Sequence, residues 1–170
     1  ENPDEIKKIV DVSPQETAVA PNLTVKENLE FFASLYGMND KEYLSSIVEA
    51  FSLDEVLNRK TKTLSGGWKR RVSIAIGIIS KPKILFLDEP TLGLDVIARR
   101  ELWKIIRKLK GEITIILTTH YLEEAEALCD KVAIMAKGRV CAVGKPEELV
   151  LTAGTDNFED AFIKITEGDL

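Results

Sequence analysis

Ile84-Leu85-Phe86-Leu87-Asp88-Glu89-Pro90-Thr91 decides how this chain reads. Four apolar residues follow one another without a polar break, the pattern of an interior parallel strand. Two carboxylates close the run and a proline stops it. Open α/β sheets gather their ligands beyond the carboxyl ends of their strands. Neighbouring side chains there point in different directions, so Asp88 can face a metal while Glu89 faces a water. A hard oxygen donor such as Asp88 suits Mg²⁺. Glu89 can then orient or deprotonate the attacking water. Taken alone, the pair also fits an exposed acidic loop that caps the next helix.

Upstream stands Leu64-Ser65-Gly66-Gly67, with a helical stretch directly after it. Two glycines bare main-chain N–H groups, and the helix that follows turns its positive end to the same place. Ser65 adds a hydroxyl donor. The arrangement suits an anion, although a plain turn with an N-cap reads the same way. His120, the only histidine, follows the β-like run Ile113 to Thr119 and so stands at another carboxyl strand end. It can donate to a phosphate or a water, or serve a structural role. Gln15 lies just past the first strand, where its amide can meet a metal-bound water. Asp95 suits either an interface contact or the N-cap of the helix after it.

Around these residues the pattern alternates strands and helices. A strand is expected over Lys8 to Val12, ending at Ser13-Pro14. Thr24 and Glu27 have capping-box spacing, so a helix is expected over Val25 to Leu35, ended by Gly37. Further helices are expected over Lys41 to Phe51 and, after a Ser52/Glu55 capping box, in a short third piece. A buried helix covers Lys69 to Ile79. Val96 to Leu109 is helical by its spacing of Leu102, Ile105, Ile106 and Leu109. Ile113 to Thr118 is a strand and Leu122 to Cys129 a helix. Lys131 to Met135 and Arg139 to Val143 form a hairpin turned at Lys137-Gly138. Short helices open at Pro146 and cover Phe158 to Ile165. This order implies an α/β fold, a mostly parallel sheet packed on both faces by helices, with a helical subdomain inserted between Thr24 and Asn58.

Composition bounds the function. The 170 residues are 45% hydrophobic and 30% charged, ordinary for a globular domain. A net charge of −5 argues against nucleic acid as the main partner. The longest apolar stretch, Val72 to Ile79, falls far short of the roughly 18–20 residues of a membrane span, so a membrane role has to come through a partner. Cys129 and Cys141 lack metal-ligand spacing and read as buried free thiols.

The motifs occur together in one order, and that order resembles the ATP-binding-cassette (ABC) family. Gln15 is similar to the family's glutamine loop, and Leu64-Ser65-Gly66-Gly67 to its signature. Ile84 to Glu89 resembles the Walker B strand, Pro90 to Asp95 the loop that ends at the dimer interface, and Thr119-His120 the switch histidine. The flanking Leu23 to Leu29 and Ala136 to Arg139 are similar to transporter subunits, and the tail Asn157 to Phe162 to export-type subunits. Trp68 departs from the glutamine that usually follows the signature glycines, which implies altered packing rather than lost function.

The resemblance implies a P-loop NTPase-like fold over residues 1–170. Its helical subdomain covers about 22–80 and includes the signature. Residues 1–21 and 81–150 form the α/β core, and 151–170 a tail helix. It implies an ATPase that binds ATP and Mg²⁺ in a head-to-tail dimer and drives a permease from the cytoplasmic face of the membrane. Asp88 and Gln15 then hold Mg²⁺, Glu89 polarises water and His120 touches the γ-phosphate. Ser65, Gly66, Gly67 and Asp95 belong to the nucleotide interface. No stretch matches G-x-x-x-x-G-K-[ST], so the chain reads as N-terminally truncated. The piece is then expected to be inactive alone and to associate with itself through exposed apolar sheet surface. Two alternatives are a related ATPase of DNA repair or chromosome organisation, and a non-catalytic interaction module. The short gap between Gln15 and Leu64 carries no sustained heptads, unlike the coiled-coil insertions of the DNA-linked relatives.

Overall fold

The computed structural model describes residues 3–168. They divide into two compact units, one up to Thr118 and one from Thr119 onward.

The first unit opens with a short helix α1 (Pro3–Lys7), which the sequence pattern did not announce, and strand β1 (Val10–Ser13). Helix α2 (Val25–Leu35) begins at a complete capping box. The Glu27 N–H donates to Thr24 Oγ1 at 3.1 Å, and the Thr24 N–H donates back to Glu27 Oε2 at 2.7 Å. Helix α3 (Lys41–Ala50) is capped by Asp40, which accepts from the Tyr43 N–H. The expected Ser52/Glu55 capping box does not form. Ser52 has φ +53° and Leu53 leads into a single 3₁₀ turn over Asp54–Val56. The reason is local: Phe51 and Leu53 are fully buried, and the chain turns sharply to place both.

Helix α4 (Gly66–Ile79) starts at the glycines themselves and is buried almost all round beyond Val72. It packs against α2, α3, β1 and strand β2 (Ile84–Asp88). Helix α5 (Val96–Leu109) buries Leu102, Ile105, Ile106 and Leu109, the expected face. Strand β3 (Thr114–Thr118) completes a three-stranded parallel sheet in the order β1-β2-β3. The carboxyl ends of all three strands therefore lie along one edge, with Ser13 level with Leu87 and Asp88 level with Thr118.

Period-two alternation divides that sheet. Leu85 and Leu87 are sealed on one face. On the other, Val12, Phe86 and Ile116 sit side by side in register and are 52%, 37% and 44% exposed. The expected parallel sheet flanked by helices is present, but its second face is covered only in part, with Val12, Phe86 and Ile116 each left partly exposed.

The second unit holds α6 (Leu122–Leu128), an antiparallel hairpin of β4 (Val132–Ala136) and β5 (Arg139–Gly144), α7 (Pro146–Ala153) and α8 (Phe158–Glu167). Lys137 and Gly138 both take positive φ, 48° and 74°, as a two-residue hairpin turn of matching twist requires. Ala125, Ile134, Leu149, Ala153, Phe158, Ala161 and Ile165 form its core. Both cysteines are free, but neither is fully buried as expected: Cys129 is half-buried and Cys141 is exposed. A register shift beside Ile134 and Met135 leaves it outside the ladder pairing, and a bulge of this kind re-aims a side chain.

Candidate functional site

The end of β2 is held in a strained conformation. Glu89 has φ +45°, the left-handed region that a residue with a Cβ seldom adopts. Such a residue costs on the order of 1–3 kcal/mol and persists only where its surroundings fix it. Here the Glu89 N–H donates to both oxygens of Thr118, to its carbonyl at 3.1 Å and its hydroxyl at 3.2 Å. The Thr118 hydroxyl in turn donates to Asp88 Oδ1 at 2.5 Å. One threonine on β3 thus orients the exposed Asp88 carboxylate and anchors the next residue. Downstream, the Leu92 N–H donates to the Glu89 carbonyl at 3.2 Å, and Gly93 turns the chain at φ +72°.

Helix α4 supplies the opposite wall. Ser65 is its N-cap residue with extended backbone, and its exposed side chain makes no capping bond. Gly67 has a packing duty as well as main-chain exposure. A Cβ there would stand 3.0 Å from the Ala98 Cβ at the start of α5. Trp68 lies under the Arg71 guanidinium, 4.6 Å from ring centroid to Cζ. That distance is within the range of a cation–π contact.

Arg70, one turn into α4, is only 4% exposed. Its guanidinium donates to the main-chain oxygens of Pro90 (3.0 Å), Asp88 (2.6 Å) and Pro14. Three residues on, the Ser73 hydroxyl meets that of Ser13 at 3.2 Å, both buried. One face of α4 is therefore bonded to the ends of β1 and β2.

These elements enclose an open cleft of about 190 Å³ lined by Gln15, Gly66, Arg70, Glu89, Gly93 and their neighbours. All its lining residues belong to the first unit. Gln15, Gly66 and Glu89, separated by up to 74 positions in sequence, therefore share one cavity. Ser65, Gly67 and Asp88 adjoin these lining residues in the chain. Asp95 is exposed and caps α5, accepting from the Ile97 and Ala98 N–H groups at 2.9 and 3.0 Å. His120 stands two residues beyond β3, in the second unit. It is exposed, with its ring 4.2 Å from that of Tyr121.

Among the described residues no group of three or more His, Cys, Asp or Glu gathers to hold a metal alone. One oriented carboxylate with an amide nearby fits Mg²⁺ of the kind completed by substrate phosphates and water, since Mg²⁺ at phosphate sites takes only one or two protein carboxylates. Sequence reading missed Arg70 and Thr118. Arg70 left only a weak signal: it stands inside the basic run Lys69-Arg70-Arg71 ahead of the apolar run Val72–Ile79, and only the packing shows which of the three turns inward. Thr118 left none, because its partnership with Asp88 depends on which strands are neighbours.

The family model described as "ABC transporter" matches residues 1–92, more than half of the chain. The chain belongs to the ABC transporter family. This ABC chain is 42% identical over 149 residues to the Nod factor export ATP-binding protein I of Rhizobium etli, which covers 85% of the chain. It is 40% identical over 143 residues to the human phospholipid-transporting ATPase ABCA3, covering 82% of the chain. It spans 47% of the length of the first relative and 8% of the second. A solved structure described as the ATP-binding subunit of an ABC transporter superposes with a TM-score of 0.81 at 28% identity. That match covers 97% of this chain and 71% of the other. The α/β architecture with its parallel sheet is thus that of ABC ATP-binding subunits. Among the described residues no helix is long and apolar enough to cross a membrane.

Proposed function

We propose that this chain is part of the nucleotide-binding subunit of a transporter, in which ATP hydrolysis drives a substrate through a membrane permease. The observation that carries the reading is a cleft at the sheet's carboxyl edge, lined by Gln15, Gly66 and Glu89 together. Asp88 and Gln15 would hold Mg²⁺, which when bound neutralises charge developing on the transferred phosphoryl group. Glu89 orients the attacking water and accepts its proton. His120 contacts the γ-phosphate. Ser65, Gly66 and Gly67 present donors and a helix N-terminus to the nucleotide of a facing subunit, and Asp95 lies at that interface.

Two such subunits act head to tail beneath a permease, on the cytoplasmic side of the membrane. The inserted helices α2 and α3 form the lobe that meets the permease. A relative named for Nod factor export favours an export role. The 170 residues contain no G-x-x-x-x-G-K-[ST] sequence, so by themselves they are expected to bind Mg·ATP weakly and turn it over little.

The test is steady-state hydrolysis by the complete protein. Glu89→Gln keeps the shape of the side chain and removes its basicity. The variant should lose about a hundredfold or more in kcat, the order expected of general-base removal, with ATP affinity retained. Turnover equal to wild type would refute the assignment.

A further inference from the structure

Arg70 is buried beside the cleft, yet the reading above gives it no task. Three of the main-chain oxygens it binds belong to two separate segments. The Asp88 and Pro90 carbonyls lie on either side of Glu89, and the Pro14 carbonyl immediately precedes Gln15. Glu89 is the residue held at φ +45°. A guanidinium is a rigid planar fork of donors, so it can fix several oxygens relative to one another in a way a single ammonium cannot. Burying that charge is costly unless such bonds are made. Arg70 also sits one turn into α4, three residues after Gly67 on the same helix.

We propose that Arg70 is a positioning residue. It locks the strained Glu89 segment and the start of the Gln15 loop to the N-terminus of α4. A shift of the Ser65–Gly67 end on meeting a phosphate is thereby passed to the water-orienting carboxylate. In a head-to-tail pair those glycines face a nucleotide held by the other subunit, while Glu89 serves its own. Arg70 then links two nucleotide sites through one chain. The inference rests on the roles proposed above for Glu89 and for Ser65–Gly67.

The experiment uses the complete protein with Arg70→Gln and Arg70→Lys. Amide hydrogen exchange without nucleotide reads the loop directly. The Glu89 and Leu92 N–H groups should exchange at least about tenfold faster in Arg70→Gln, as local opening becomes easier, while α2 and α3 stay protected. In hydrolysis assays kcat should fall about 10–100-fold with KM within about threefold, the pattern of an interaction made in the transition state. Arg70→Lys should recover only part of either loss, and it stands in should the glutamine variant fail to fold. Unchanged exchange at Glu89 and Leu92 would overturn the proposal. So would a lowered Tm with wild-type kcat per folded molecule, which marks a purely structural arginine. The exchange arm needs no ATP. A wild-type protein without ATPase activity would therefore defeat the functional reading and leave Arg70's hold on the loop to be judged by exchange alone.

Discussion

Gly67 answers two demands at one position. It follows the cleft-lining Gly66 in the chain, and its missing side chain lets α4 approach α5, where an added Cβ would meet Ala98 at 3.0 Å. Gly67→Ala should therefore destabilise the fold by about 1–3 kcal/mol, the usual range for forcing a methyl into a packed contact. Ala98→Gly added to it should restore part of the loss. Chemical denaturation of the four proteins in a double-mutant cycle checks this. Simple additivity of the two changes would show that the contact does not limit the packing. Residue by residue, position was legible wherever a strand end was marked in the sequence, as for Asp88, Glu89 and Gln15. It was not legible where the reason lay in three dimensions. The strain at Glu89, the Thr118 hydroxyl on Asp88 and the second duty of Gly67 all depend on neighbours far away in sequence. Ser52 and Glu55 had the right letters for a cap, but burial of Phe51 and Leu53 overruled them.

At the scale of elements, local signals and tertiary packing mostly agree. Helices α2 and α5 fall on their expected bounds because each has both a periodic apolar face and a capping side chain. Helix α2 gives a pH-sensitive test. The Thr24 main-chain N–H and hydroxyl both donate to the Glu27 carboxylate and hold its pKa below the ordinary value for a glutamate. A lowered folded-state pKa stabilises the fold above the unfolded-state value, and that contribution disappears as pH falls through the folded one. Thr24→Ala should cost about 1 kcal/mol near neutral pH, the usual worth of a cap. The difference from wild type should shrink as acid protonates Glu27. Urea unfolding at pH 7 and at pH 3 checks it. A difference independent of pH would show that the hydroxyl's bond to the carboxylate contributes nothing. β4 and β5 were legible from Lys137-Gly138, whereas the exposure of Cys141 depends on a bulge that no short-range rule announces.

At the scale of the whole molecule, the open sheet face is the dominant physical fact. Val12, Phe86 and Ile116 form an apolar row across three strands, and each leaves a third or more of its surface in water. Apolar rows of this kind drive association. The isolated 170-residue chain should therefore form dimers or larger species in light scattering. Phe86→Thr with Ile116→Thr should reduce them while keeping strand propensity. A wild-type chain that stays monomeric as concentration rises would contradict this.

The central claim is that Glu89 acts at a nucleotide shared between two facing subunits. The most direct test is the mass of the complete Glu89→Gln protein in solution, with and without Mg·ATP. The account predicts a stable pair of chains that retains unhydrolysed ATP and separates when nucleotide is removed. A mass that ignores Mg·ATP, with ATP consumed at the wild-type rate, would contradict it.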